Sequence, residues 1–339
     1  MDKIVVITDG NTQIGLGHVY RCLTLARELR KRNCHVSFFT KSQEAISKIE
    51  NENFSLTRIE NIWDSEHIIN AIRNKLIDLI IIDSYIVSFE YLQDIKNHTK
   101  KIMYIDDLVK FRYPVDIIVN GSALGDYADY YKYDTQQLVL SGVKYNLLRE
   151  EFRDLPIRNI NNQVRRLLLT NGGADPNFIT KKFLEFICNE KRLMELVICV
   201  VVGNAFMRKE EIYDFAKKNG NIEVIDAPKR MSELMLKSDI AISAGGTTLY
   251  ELCATGTPTI AYLTSETQRA IVDKMKETNC LECIGMYSQV DEHILNNSIL
   301  KLSKGYEQRE KLSKAGQSLV DGRGAIRVVN EILYTLNKD

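Results

Sequence analysis

Short runs of aliphatic and β-branched residues alternate with segments of helical apolar spacing along nearly all of the 339-residue chain. In the first half, the runs Lys3–Thr8, His35–Thr40, Leu79–Asp83, Lys101–Ile105 and Ile117–Asn120 predict strands. Residues 19–32, 65–75 and 89–97 predict helices between them, with Leu23, Ala26 and Leu29 near helical spacing in the first. The pattern weakens after Asn120, where residues 121–133 are polar, rich in tyrosine and predicted to be irregular. It then restarts, with strands predicted at Arg166–Thr170, 196–202, 222–225, 240–243 and 259–262. Helices are predicted at 179–188, 209–219, Met231–Lys237, 247–255 and 267–277, and from 298 onward with a break at Asp321-Gly-Arg-Gly324.

Such βα alternation predicts an α/β protein whose parallel sheets carry helices on both faces. Ligands of such sheets bind at the carboxyl ends of the strands. The interruption divides the pattern into two Rossmann-like doubly wound domains, residues 1–152 and 164–339, expected to face each other across a cleft. Residues 153–163, with a proline, several asparagines and charges, read as the linker.

Charge and cysteine usage narrow the function classes. Forty-five basic residues balance forty-five acidic ones, and no stretch of Lys and Arg forms a nucleic-acid footprint. The seven cysteines are scattered, several in apolar runs, which predicts reduced thiols in a cytoplasmic protein. Cys280-Leu-Glu-Cys283 has zinc or redox spacing, but no second pair accompanies it, so a structural reading is favoured. The longest apolar runs, 79–82 and 196–202, are strand length, far short of the roughly 20 residues of a membrane helix. No stable membrane insertion is expected, and the first residues show no signal-peptide pattern. No two histidines have metal-ligand spacing.

Three glycine-rich turns each fall between a predicted strand and a predicted helix. The first is Asp9-Gly-Asn-Thr-Gln-Ile-Gly-Leu-Gly-His18, which puts a histidine where a helix begins. Gly15 and Gly17 allow a sharp turn and close approach to a ligand. An imidazole there can exchange protons near neutral pH. The other two are Thr170-Asn-Gly-Gly-Ala-Asp-Pro176 and Ser243-Ala-Gly-Gly-Thr-Thr-Leu-Tyr-Glu251. Backbone N–H groups and threonine hydroxyls at a helix start suit a diphosphate, and Glu251 could accept from ribose hydroxyls. None of the three is a P-loop or a full dinucleotide fingerprint. Asp106 and Asp107 are adjacent, hence expected on opposite faces, one lining the site and the other capping. The tyrosines at 127, 130, 131 and 133 could stack on a sugar or belong to a packed or exposed loop.

The run Ile14-Gly-Leu-Gly-His-Val-Tyr-Arg-Cys-Leu-Thr-Leu-Ala26 closely resembles the N-terminal signature of the PseG/SpsG family of UDP-sugar hydrolases. Further matches are Ile82-Asp-Ser-Tyr85, Tyr104-Ile-Asp-Asp-Leu108, residues 142–152, Asn171-Gly-Gly-Ala-Asp-Pro176 and residues 243–251. The resemblance implies a GT-B fold related to MurG-type glycosyltransferases. It implies release of UDP from a diacetamido-trideoxy-hexose by inverting attack of water at the anomeric carbon, in pseudaminic acid biosynthesis, without metal or cofactor. On the matching positions it implies His18 as general base, Tyr85 as a group orienting water or sugar, and Asp9 as a residue ordering the loop or His18. Gly245, Gly246, Thr247 and Thr248 would hold the diphosphate and Glu251 the ribose; Asn171, Gly172 and Gly173 would also line the substrate site. The chain departs from the pattern at Ile7, where many members carry arginine, at Ser84, where they often carry histidine, and at Asp9-Gly-Asn11. Two rival readings share these residues: a GT-B glycosyltransferase using a UDP-sugar donor, and a non-catalytic nucleotide-sugar binding module.

Overall fold

The computed structural model describes residues 1–11, 15–125, 130, 137–203 and 205–338. The chain divides into two compact units, one of Met1–Glu150 with Gly322–Asp339, the other of Glu151–Asp321.

Unit 1 is built on a parallel sheet of strands β1 (Lys3–Thr8), β2 (His35–Thr40), β3 (Ser55–Arg58), β4 (Leu79–Asp83), β5 (Lys101–Ile105), β6 (Ile117–Asn120) and β7 (Leu138–Ser141). The spatial order is β3-β2-β1-β4-β5-β6-β7, so the direction of winding reverses between β1 and β4. Those two strands run in register, Ile7 beside Ile82 and Thr8 beside Asp83. The helices are α1 (Gly17–Lys31), α2 (Gln43–Glu50), α3 (Ser65–Ile72) and α4 (Phe89–Lys96). Because successive strand residues point to opposite faces, both faces need cover. Ile4, Val6, Leu79 and Ile81 pack with Val19, Leu23 and Ala26 of α1. Val5, Ile7, Ile80 and Ile82 pack with Ile68 of α3 and Leu92 and Ile95 of α4.

Unit 2 repeats the plan with β8 (Arg166–Thr170), β9 (Val197–Val202), β10 (Ile222–Asp226), β11 (Ile240–Ala244), β12 (Thr259–Leu263) and β13 (Glu282–Met286). Its order, β10-β9-β8-β11-β12-β13, reverses between β8 and β11. Helices α5 (Ile179–Asn189), α6 (Lys209–Lys218), α7 (Met231–Lys237), α8 (Thr248–Ala254), α9 (Arg269–Glu277), α10 (Glu292–Lys304) and α11 (Tyr306–Leu319) complete the unit.

The final helix, α12 (Gly324–Leu336), differs from expectation. The second domain, expected to run to residue 339, ends at Asp321. Val328, Val329 and Ile332 of α12 are buried with α1 in the unit 1 core. The boundary expected over 153–163 also moves, because that segment is fastened to unit 2. Arg158 donates to the carbonyls of Met235, Thr255 and Ser238 and to the Thr257 hydroxyl. Arg309 donates to the carbonyls of Asn161 and Asn162. No helix among the described residues is long and apolar enough to cross a membrane.

Candidate functional site

In unit 1, after β1, Gly15 N–H donates to the Asn11 carbonyl at 2.8 Å, with Gly15 at φ +81°. That backbone angle suits glycine. The chain enters α1 at Gly17, so His18 occupies the first helical turn. Across the reversal point, β4 ends on Asp83, whose side chain is fully buried. His18 Nδ1 lies 2.6 Å from Asp83 Oδ1. A contact that short between a nitrogen lone pair and a carboxylate oxygen would be repulsive, so Nδ1 carries the proton. In the neutral ring the other nitrogen, Nε2, is then the acceptor.

Arg21, one turn further along α1, grips the same carboxylate with two bonds of 2.6 Å, from Nε to Oδ2 and from Nη2 to Oδ1. Its remaining arm, Nη1, reaches Asp107 at 2.7 Å. Asp107 accepts in turn from the Tyr85 hydroxyl at 2.8 Å, and the Tyr85 ring stands edge-on to His18 with centroids 4.5 Å apart. Burial alone would raise the Asp83 carboxyl, but Arg21 and His18 outweigh it and hold it well below the usual carboxylate range. Burial, followed by the Asp107 charge, pushes the Tyr85 hydroxyl well above its ordinary value. At neutral pH Asp83 is therefore a charged acceptor and Tyr85 a proton donor.

Asp9 is elsewhere. Its carboxylate takes the Thr40 hydroxyl at 3.0 Å and the backbone N–H and hydroxyl of Ser42 at 2.9 and 2.7 Å. It braces the connection from β2 to α2; of the two roles expected for it, ordering a loop or ordering His18, the partner of His18 is instead Asp83. Ile7 is a fully buried core residue, and the Ser84 hydroxyl accepts from the Ile86 N–H. Asp106 and Asp107 divide as expected: Asp106 accepts from the N–H groups of Leu108 and Val109 and from the Tyr113 hydroxyl. Tyr130 is fully buried, its hydroxyl donated to Asp106, so it is a core residue rather than a sugar platform. Tyrosines 127, 131 and 133 and residue Ile14 lie outside the described residues.

In unit 2 the reversal point gathers the two other glycine-rich turns. Gly172, at φ +75°, faces Thr248: a Cβ on Gly172 would sit 3.7 Å from the Thr248 hydroxyl. Gly203, just past β9, packs so tightly that a Cβ there would overlap the Gly173 carbonyl. The ends of β8, β9 and β11 thus converge on Asn171, Gly172, Gly173 and Gly245–Thr248. Gly246 and Thr247 are exposed, and Glu251 is half-buried in the first turn of α8. Asn171 donates to the Thr180 hydroxyl at 2.7 Å. Among the described residues, no group of three or more His, Cys, Asp or Glu is placed to hold a metal ion. All seven cysteines are free thiols.

Paired reversal points on two Rossmann-like sheets define a GT-B protein. The structure of MurG from Acinetobacter baumannii superposes with a TM-score of 0.71, covering 98% of this chain and 100% of MurG at 11% identity. The glycosyltransferase family 28 C-terminal domain matches residues 180–323. More particularly, the chain is homologous to proteins of the PseG/SpsG kind. It is 26% identical to the spore coat polysaccharide biosynthesis protein SpsG of Bacillus subtilis, over 95% of each chain. It is 28% identical to the UDP-2,4-diacetamido-2,4,6-trideoxy-beta-L-altropyranose hydrolase of Campylobacter jejuni, over 71% of this chain and 85% of that one. An uncharacterized protein of Methanocaldococcus jannaschii is 34% identical over 80% of this chain, which spans 57% of that relative's length.

Sequence reasoning singled out His18 and Tyr85 and missed Asp83 and Arg21. Both carried a signal: Asp83 ends a strand that is otherwise all apolar, and Arg21 follows His18 by three residues, on the same helix face.

Proposed function

We propose that this chain hydrolyses a UDP-activated diacetamido-trideoxy-hexose, in a biosynthesis of the pseudaminic acid type. The observation that carries the reading is the 2.6 Å bond between His18 Nδ1 and the buried Asp83 carboxylate, which leaves Nε2 as proton acceptor. In this reading His18 Nε2 takes a proton from water as the water oxygen bonds to the anomeric carbon. The bond from that carbon to the β-phosphate oxygen breaks, UDP leaves, and the configuration inverts. Asp83 stabilises the imidazolium that forms, as the carboxylate does in a Ser-His-Asp triad. Tyr85 orients the sugar or the water. The diphosphate is assigned to the backbone and hydroxyl donors of Gly245, Gly246, Thr247 and Thr248, with Asn171, Gly172 and Gly173 alongside. Donors fixed in advance of the reaction stabilise charge on the departing group without reorganising. Glu251 is assigned to the ribose. Gly15 and Gly17 let the substrate approach the turn that carries His18.

The match to a glycosyltransferase domain over residues 180–323 favours a second reading. There, the same imidazole deprotonates an acceptor hydroxyl instead of water. Incubating the protein with UDP-sugars, with and without acceptor sugars, separates the two. Hydrolysis gives UDP and free sugar with no acceptor present; UDP release that requires an acceptor supports transfer. Tight binding with no turnover under either condition would make the chain a binding module.

A further inference from the structure

We propose that Arg21 is a positioning residue for the histidine: one guanidinium fixes Asp83 against the imidazole and Asp107 against the Tyr85 hydroxyl. The inference rests on the reading of His18 as proton acceptor. Its geometric part stands on the free protein.

Three elements meet at this side chain. Arg21 and His18 project from α1, Asp83 ends β4 with Tyr85 two residues beyond it, and Asp107 follows β5. The groups facing Arg21 are His18, Asp83, Tyr85 and Asp107, and the Cys22 thiol lies 3.5 Å from Asp83 Oδ2. The guanidinium has five donors in a fixed plane. Two are spent on Asp83 and one on Asp107, at 2.6, 2.6 and 2.7 Å. A bidentate grip leaves the Asp83 carboxylate little freedom to rotate. Its Oδ1 is therefore held at Nδ1 of His18, which fixes both the ring plane and the position of the ring proton. The same guanidinium pins Asp107, and Asp107 holds the Tyr85 hydroxyl, so the two side chains beside the reacting atoms share one anchor.

The charge count points the same way. Asp83 and Asp107 carry two negative charges against the single positive charge of Arg21. When His18 gains a proton the cluster becomes neutral, so the arrangement is complete in the state that proton abstraction creates. A lysine would preserve the charge but not the fork, since an ammonium cannot hold one carboxylate bidentately while reaching a second in the same plane.

The test compares Arg21→Lys, Arg21→Met, Arg21→Ala and Asp107→Asn with the wild type. The first readout is the 15N spectrum of His18 in the free protein, which reports where the ring proton resides. In the wild type, Nδ1 should be the protonated nitrogen. In Arg21→Met, the two tautomers should interchange. Turnover should fall about 10²-fold in Arg21→Met with KM little changed, the scale of a misplaced catalytic group, and less in Arg21→Lys. Asp107→Asn keeps the Arg21–Asp83 fork, so it should keep the wild-type His18 spectrum while lowering turnover through Tyr85. The acid limb of the pH profile should move to higher pH in Arg21→Met, because Asp83 loses its cationic partner. Added methylguanidinium should restore part of the turnover of Arg21→Ala. An unchanged His18 spectrum and unchanged turnover in Arg21→Lys and Arg21→Met would overturn the proposal. If Arg21→Met does not fold, a wild-type spectrum with the proton on Nε2 would overturn it equally. Failure of the hydrolase reading looks different: the wild type would then release no UDP, while the spectra would still report on the anchor.

Discussion

Replacing Asp83 with asparagine, Asp83→Asn, tests how much the buried carboxylate contributes, because the change is nearly isosteric and removes one charge. Asp83 receives two bonds of 2.6 Å from Arg21 and one of 2.6 Å from His18. An amide has one oxygen to offer, and its NH₂ must face a donor on Arg21 or on His18. Breaking one side of a buried ion pair costs about 3–5 kcal/mol, so the urea midpoint should fall clearly at pH 7. Turnover should fall further than binding, by about 10²–10⁴-fold, because the imidazole loses both its fixed tautomer and its counter-charge. The pH dependence has a definite sign. Asp83 is held well below the ordinary carboxylate range in the folded protein. Its contribution to stability is therefore complete above the unfolded value, about 3.9, and is lost as the pH falls toward the folded one. Between pH 7 and pH 3 the stability gap between wild type and Asp83→Asn should narrow by about 1 kcal/mol. Urea unfolding at both pH values and a UDP-release assay measure these effects. A variant with the wild-type midpoint, wild-type turnover and a gap independent of pH would refute the reasoning.

Four further outcomes are expected. His18→Ala should abolish turnover and leave UDP affinity nearly intact by calorimetry; wild-type rates would remove His18 from the mechanism. Glu251→Ala should weaken UDP binding by about 1.5–3 kcal/mol, the scale of a charged hydrogen bond, and unchanged affinity would refute the ribose assignment. Gly203→Ala should destabilise unit 2 by about 1–3 kcal/mol, since its methyl would meet backbone rather than a flexible side chain; chemical denaturation checks this. Ile332→Ala on α12 should cost about 2–5 kcal/mol. Hydrogen exchange should place that loss in unit 1, and a loss confined to unit 2 would contradict the observed packing.

Much of the fold was legible because its central strands are apolar runs buried on both faces. Leu79–Asp83, Arg166–Thr170 and Ile240–Ala244 all stand out in the chain. The edge strands β3 and β13 were not. Ser55–Arg58 has one apolar residue in four and is mostly exposed, and Glu282–Met286 is only half-buried and holds a glycine. Neither strand needs an apolar run, because each has a neighbour on one side only. Helix α2 escaped for a similar reason: its eight residues bury only Ala45, Ile46 and Ile49. The placement of α12 was invisible for a different reason. Its apolar face is clear in the sequence, but nothing in that face says which of two cores will bury it. The same limit applied at the candidate site. A histidine at a helix start was readable from its glycine-rich turn. Its partner Asp83 lies 65 residues away and meets it only because β1 and β4 are neighbours. Asp9, close in sequence, was the more obvious candidate, and its carboxylate is occupied by Thr40 and Ser42.

The most direct measurement of the central claim is turnover of the UDP-sugar in H₂¹⁸O without acceptor, followed by mass spectrometry of both products. Attack of water at the anomeric carbon, with His18 as proton acceptor, predicts one ¹⁸O on the free sugar and none on UDP. Label on UDP, or no UDP release until an acceptor is added, would contradict the account.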